Sequence, residues 1–201
     1  MEIASVDTTV NFVDLGLPSG TLWADRNVGA ESEEGYGAYF SWGNIDPHFS
    51  SNGTSFDDSY NFSSGTYAQS AGASVSGNIE PNDSAHDAAL ALIGNGCKMP
   101  TSALIYELNA NTDKQMTTIN GVYGCKFMKK SDNSVYIFLP ANGYSNSAAL
   151  GNRGTTGYYW SSDYVSENNA YFMKFDSNSV TPQNSSGRYY GFSVRAIKDP
   201  A

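Results

Sequence analysis

An α+β fold in one domain, residues 1–201, follows from three features of the sequence. Two short stretches, around residues 83–96 and 100–108, carry apolar residues at helical spacing. The segments around them alternate with a period of two, and no internal repeat runs through the chain. The prediction is two short helices, antiparallel strands and long ordered loops.

The opening segment alternates Val10, Phe12 and Asp14 against Asn11, Val13 and Leu15, then meets Gly16-Leu17-Pro18-Ser19-Gly20 before Thr21-Leu22-Trp23-Ala24. That order reads as strand, turn, strand. From Asn44 to about Asn82 the chain is rich in Ser, Gly, Asn and Asp. This predicts a long ordered loop anchored by Phe49, Phe56, Tyr60 and Tyr67.

Asp83 or Ser84 can cap a helix whose apolar face is Ala85, Ala88, Ala89, Leu92 and Ile93, ended by Gly94-Asn95-Gly96. Thr101, after Pro100, can cap a second helix with Leu104, Ile105 and Leu108 as its buried stripe. The period then changes to two. Tyr123, Cys125 and Phe127 face one way and Val122, Lys126 and Met128 the other, which places Cys125 in a core. Lys126, Lys129 and Lys130, beside Asp132, read as a solvated hairpin turn. Val135 to Leu139 is apolar on both faces, as in a central strand, and Pro140 ends it. In Tyr171-Phe172-Met173-Lys174-Phe175 the inward set is Tyr171, Met173 and Phe175, so Phe172 and Lys174 are expected on the opposite, outward face.

Composition excludes several partners. The formal net charge of −9 opposes nucleic acid, whose phosphates need a concentrated basic footprint, and opposes anionic membranes likewise. No run approaches the roughly 18 apolar residues that span a bilayer, and Met1-Glu2-Ile3-Ala4 lacks the basic and apolar parts of a signal peptide. Direct membrane insertion is not expected. Cys97 and Cys125 could pair, but two thiols make neither a disulfide framework nor a metal site of recognisable spacing.

Catalytic chemistry is not advertised. His48 and His86 have no Ser, Cys or carboxylate at triad or metal spacing, and both read as solvated or hydrogen-bonded. Glu31, Glu33 and Glu34 cluster before Gly35, and Asp57-Asp58 lie in the long loop, without the pattern of a calcium loop. No cofactor is expected. A structural calcium held by loop carbonyls and one or two carboxylates stays open, because backbone ligands leave no trace in a sequence.

The most informative segment is the last third. Gly157-Tyr158-Tyr159-Trp160-Ser161-Ser162 and Gly191-Phe192-Ser193-Val194-Arg195 bracket a stretch crowded with Asn, Ser, Tyr, Asp and Gly. Tyr offers contact area at low rotamer cost and Ser, Asn and Gly offer adaptable hydrogen bonds, so this texture suits recognition better than catalysis.

Several ordered segments resemble the Fibrobacter succinogenes major paralogous domain. They are Val13 to Ala24, Gly37-Ala38-Tyr39-Phe40-Ser41-Trp42-Gly43, Asp87-Ala88-Ala89, Lys98-Met99-Pro100-Thr101 and Phe138-Leu139-Pro140-Ala141-Asn142-Gly143. The resemblance runs from about Val13 to Lys198. It implies the C-type lectin fold of the formylglycine-generating-enzyme-like division, in which Met99-Pro100-Thr101 and the closing Gly191 to Arg195 are shared marks. Enzymes of that division use a close cysteine pair near the C-terminus to bind copper. Nothing here matches it, so oxidase activity is not implied.

The segment from Asn142 to Arg195 also resembles the variable region of target proteins of diversity-generating retroelements from gut Bacteroidetes and their phages. There, randomised template adenines turn Asn codons of the AAY kind into Tyr, Ser, Asp, Gly, Arg, Phe and others. The resemblance implies a variable region of about 143–191. Its candidate ligand-binding residues are Ser145, Asn146, Asn152, Arg153, Tyr158, Asp163, Tyr164, Phe172, Asn184, Ser186, Tyr189 and Tyr190. Glu167, Met173 and Gln183 cannot arise from an AAY codon and are expected to be fixed. Gly143, Tyr159 to Ser162, Pro182 and Gly191 to Arg195 are expected to hold the backbone, with Trp160 in the core. The implied function is adhesion or receptor recognition without catalysis, on a virion or bacterial cell surface, toward a protein or glycan ligand. An undiversified carbohydrate- or protein-binding module of the same family is the alternative.

Overall fold

The computed structural model describes residues 10–47, 67–94, 96–146 and 149–200. Phe49, Phe56 and Tyr60, expected to anchor the long loop, lie outside them, as do His48, Asp57, Asp58 and Asn95. Within them the fold is mixed α+β, with two α-helices and antiparallel strands in four small sheets.

The first sheet closes the chain on itself. Strands β1 (Phe12–Val13) and β2 (Leu22–Ala24) pair through the expected turn, and β11 (Ile197–Lys198) lies on the other side of β2. Trp23 therefore faces Val13 on one side and Ile197 on the other. Of the expected anchors Tyr67 is described: it is buried and donates from its phenol to the Trp42 carbonyl at 2.5 Å. A 3-10 turn follows at Ala71–Ser74.

Helix α1 spans Ala88–Ile93, later than the sequence suggests. Its cap is Asp87, whose carboxylate accepts from Ala89 N at 2.9 Å and Leu90 N at 3.0 Å. Asp83 caps only the preceding turn, taking Ala85 N and the His86 ring. Both aspartates offer the same local chemistry; Asp87 prevails because its other oxygen also accepts from Met99 N at 2.9 Å, tying the helix start to the next segment. Gly94, at φ 72°, ends the helix in a backbone conformation open to glycine. Helix α2 (Ser102–Asn111) starts at the expected Thr101 cap and buries Ile105 and Leu108.

The second sheet has the order β3 (Thr112–Ile119), β4 (Val122–Lys129), β5 (Asp132–Pro140). Cys125 and Phe127 on β4 are fully buried, as the period-two pattern requires. The central strand is β4, not β5 as expected. Polar β3 takes the far side of β4, turning at Asn120-Gly121 with both residues at positive φ. Strand β5 is apolar on both faces because Ile137, Phe138 and Leu139 are covered by packing, not because strands flank it.

A short hairpin, β6 (Tyr144–Asn146) and β7 (Ala149–Gly151), leads to the third sheet of β8 (Gly157–Tyr164), β9 (Asn169–Phe175) and β10 (Val180–Gly187), ordered β10-β9-β8. The two faces of β8 and β9 enter two different cores. Trp160 pairs with Phe172 and joins Trp42, Phe192, Val194 and the α1 alanines. Tyr159 pairs with Met173 and joins Phe175, Trp23, Cys125, Phe127 and the α2 stripe. This overturns the expected outward Phe172: it is 5 % exposed, because the face opposite Met173 is also a core. Of the expected inward set, Met173 and Phe175 are buried while Tyr171 is half-exposed and joins neither core, and period two cannot tell a solvated face from a second buried one.

The closing segment stitches these parts together. Phe192 bridges Phe40, Gly191 bridges Ser145, Ser193 bridges Tyr159, and Ile197 bridges Lys98. Arg195 is completely buried, its guanidinium donating to Asn27 Oδ1, the Ala24 carbonyl and the Phe138 carbonyl at 2.7–2.9 Å. Burial, partly offset by the Tyr159 phenol, pushes its pKa down to about 10. Its three acceptors come from β2, the loop after β2 and β5, so one side chain ties three chain segments across the core.

Candidate functional site

The site begins at Gly143. With φ at 68°, this residue turns the chain out of β5, and a Cβ there would run into the Gly151 carbonyl and the Arg153 backbone. Only glycine lets β7 return so closely. Beside it, fully buried Asn142 clamps β8: its amide donates to the Tyr158 carbonyl at 2.8 Å and its oxygen accepts from Tyr158 N at 2.7 Å.

Tyr144 and Asn146 are partly exposed and Ser145, between them, is fully buried. Ser145 exchanges two backbone hydrogen bonds with Gly191, at 2.8 and 2.9 Å, which fixes β6 against the closing segment. The period of the strand thus makes Ser145 part of the framework, against its expected contact role, and turns Tyr144 to the other side, into the cleft.

Tyr144 forms one wall of a cleft of about 270 Å³ whose other lining residues are Asn152, Tyr158, Phe172, Ser186, Tyr190 and Phe192. Six separate segments of the last third meet here: β6, the turn after β7, β8, β9, the end of β10, and the closing segment. The planes of its two floor rings, Phe172 and Phe192, differ by 51°. Tyr158 and Tyr190 lie within 31° and 15° of the Phe192 plane, and Tyr158 within 25° of Phe172. Tyr144 stands nearly perpendicular to both, at 81° to Tyr158 and 89° to Tyr190, with centroids 5.4 and 5.7 Å away. Such edge-to-face contacts, each worth about 0.5–1.5 kcal/mol beyond burial, hold the rings without a ligand.

The polar groups of the cleft are neutral. Asn152, exposed and at φ 58°, donates from its amide to the Tyr158 phenol at 2.9 Å. Ser186 lies near the end of β10. Tyr189 stacks on Tyr190 with centroids 4.4 Å apart. Its hydrogen bond, with partial burial, pushes the Tyr190 phenol up, so that ring stays protonated at neutral pH.

Of the twelve candidates, Asn152, Tyr158, Phe172, Ser186 and Tyr190 line this cleft, and Tyr189 flanks it. Phe172 is its buried floor and not a projecting contact. Asn146 ends β6, and exposed Asn184 sits opposite Phe172 on the edge strand. Three candidates are committed elsewhere. Asp163 accepts from Ser102 N at 2.8 Å at the start of α2 and lines another cavity, beside Asp87, Lys98 and Thr101. Arg153 directs its guanidinium to the Tyr39 phenol at 3.1 and 3.2 Å and lies over the Tyr36 ring. Tyr164 packs near Trp42 and the Arg188 guanidinium.

Sequence reasoning passed over two residues. Tyr144 carried the same composition signal as its neighbours, and alternation along β6 separates it from Ser145. Arg188 is fully buried and gave no signal. It donates to the carbonyls of Gly72, Val75 and Glu167 and to the Tyr67 phenol, and lies 4.5 Å from the Trp42 ring. It thereby positions the chain just before Tyr189 and Tyr190.

Both cysteines are free and buried, in different cores. Burial pushes the Cys125 thiol up to about 12 and raises Cys97 too, disfavouring the thiolate that a metal or a nucleophilic reaction needs. Among the described residues, no group of three or more His, Cys, Asp or Glu could hold a metal ion, and no helix is long and apolar enough to cross a membrane.

A family model described as a domain of unknown function (DUF8237) matches residues 89–197, more than half of the chain and all of the cleft. No curated protein and no solved structure matches the chain.

Proposed function

The chain belongs to the DUF8237 family, and from the geometry of its last third we propose that it is a ligand-binding protein whose contact surface is the aromatic cleft and its rim. The observation that carries this reading is the convergence of six chain segments on one uncharged cleft, its rings prearranged by edge-to-face contacts. A surface ordered before binding loses little entropy on binding. The ligand is a protein or glycan on a cell surface, and the protein acts from a virion or a bacterial surface, recognising without reaction.

The C-type lectin fold of the formylglycine-generating-enzyme-like division belongs to the same proposal. It is supported by the pairing of β1, β2 and β11, and by a closing Gly191 to Arg195 segment hydrogen-bonded to Phe40, Ser145, Tyr158 and Trp160. Diversification by a retroelement is proposed for the accessible set: Tyr144, Asn146, Asn152, Asn184, Ser186, Tyr189 and Tyr190. The interior positions of Ser145 and Phe172 favour the second reading, an undiversified binding module, at those two sites, since random side chains there would unfold the protein.

The test is binding of labelled protein to a panel of gut bacterial and epithelial cells, with the variant Asn152→Gly/Ser186→Ala/Tyr190→Ala, which keeps a residue suited to the positive φ at 152, as comparison. The reading expects the wild type to decorate some cells and the variant, with unchanged melting, to lose at least about tenfold in affinity, ~1.4 kcal/mol. Equal binding by both would remove the cleft from the function.

A further inference from the structure

We propose that the cleft takes the ring of a neutral hexopyranose, without calcium. This deepens the binding reading and rests on it. Three features of the cleft select that ligand. Its volume of about 270 Å³ falls just below the ~300–1,000 Å³ of pockets for drug-sized ligands, so it admits one ring and its substituents rather than a folded peptide.

The second feature is the corner made by the rings. Tyr190 lies nearly parallel to Phe192 and Tyr158 is tilted 31° from it, while Tyr144 stands nearly perpendicular to both tyrosines. A pyranose presents an apolar C–H face and a hydroxyl-bearing edge. The face can lie on an aromatic ring, whose negative π surface attracts polarised C–H groups, while the perpendicular ring closes one side. Phe172 and Phe192 are nearly buried, so the accessible part of this corner is tyrosine, with phenols that meet hydroxyls.

Charge is the third. None of the lining side chains is a carboxylate, ammonium, guanidinium or imidazole, and the polar groups are phenols, one amide and one hydroxyl. Such groups donate to and accept from sugar hydroxyls. They offer nothing to balance a carboxylate or sulfate, and the chain's net charge of −9 opposes acidic sugars further. Without a carboxylate in the lining, there is also no anionic ligand for a bridging calcium ion. A charged peptide would leave its charges unpaired in this cleft, which disfavours it on the same ground.

The experiment is a glycan array, run in EDTA, that carries neutral, sialylated and sulfated glycans, followed by titration of methyl hexopyranosides monitored by NMR of the tyrosine rings. Wild type is expected to bind neutral glycans, with Tyr144 and Tyr190 resonances shifting. Tyr190→Ala and Tyr144→Ala should each weaken binding about tenfold or more while the protein stays folded. If a variant melts lower, Tyr190→Phe supplies the comparison: it keeps the stacking face and should lose severalfold less than Tyr190→Ala. Selection of acidic glycans, loss of binding in EDTA, or equal binding by wild type and both alanine variants would overturn the proposal. So would an array with no binder. In that case, cell binding lost in the Asn152/Ser186/Tyr190 variant would preserve the broader reading with a protein as ligand, whereas unaltered cell binding would remove both.

Discussion

Phe172 and Asn184 face each other across β9 and β10, yet their substitution should have opposite consequences. Phe172 is 5 % exposed and sits against Phe192, Tyr158 and Trp160, with ring centroids at 4.8, 5.8 and 6.0 Å. Phe172→Ala removes a whole ring from a core whose neighbours are themselves locked: Trp160 donates from its indole to the Phe40 carbonyl at 2.7 Å, and Phe192 is bonded at its backbone to Phe40. These neighbours cannot collapse into the space, so the cost should fall at about 3–5 kcal/mol. For a chain of this length each kcal/mol moves the melting temperature by roughly 2–4 °C, giving a fall of about 6–20 °C. Asn184→Ala, on an exposed edge, should stay within about 0.5 kcal/mol. Paired urea and thermal unfolding of both variants by circular dichroism tests this. A Phe172→Ala protein melting within about 2 °C of wild type would refute the two-core account of the third sheet and restore Phe172 as an outward contact.

Other expectations can be checked by the same means. Burial pushes the Tyr39 and Tyr67 phenols from 10.0 up to about 12, while an unfolded tyrosine ionises near 10. The folded state therefore holds these protons more tightly, so stability is full below about pH 10 and declines as pH rises toward about 12. Unfolding free energies measured across that window should fall more steeply in wild type than in Tyr39→Phe or Tyr67→Phe, and parallel slopes would contradict it. Gly143→Ala should cost at least about 1–2 kcal/mol from its left-handed φ alone, with further loss from the clash with Gly151, and a neutral result in urea unfolding would show that β7 can move away. Asp87→Ala frees the backbone N–H groups of Ala89, Leu90 and Met99 and should cost about 1–3 kcal/mol, while Asp87→Asn, which keeps an acceptor, should cost less. Equal losses would mean that the charge, which burial disfavours, matters more than the cap.

Much of this architecture was legible because local patterns carry it. Thr101 before an apolar stripe marks a helix start, and the alternation around Cys125 marks a buried strand, whatever lies further along the chain. Strand β3 was not legible from hydropathy, because an edge strand that faces water needs no apolar face; its one local mark is Asn120-Gly121, the residue pair that tight hairpin turns prefer. The candidate cleft draws on residues that composition singled out, but their direction was not legible. Tyr and Asn signal a contact surface, while the burial of Phe172, Ser145 and Arg188 depends on contacts with Phe192, Gly191 and Tyr67, far away in sequence. A side chain's codon says what could stand at a position, and only packing says what the position tolerates.

Sequencing this locus across a natural population tests most directly whether replaceable contact residues sit on a fixed framework. The account predicts a neighbouring reverse transcriptase and a near-copy of the final segment that differs only at adenines. It places the variation at codons for exposed or cleft-rim residues such as Asn146, Asn152, Asn184, Ser186, Tyr189 and Tyr190, with Trp160, Met173, Phe192 and Arg195 constant. Variation spread evenly over framework and cleft, or a locus with neither the copy nor the reverse transcriptase, would contradict it.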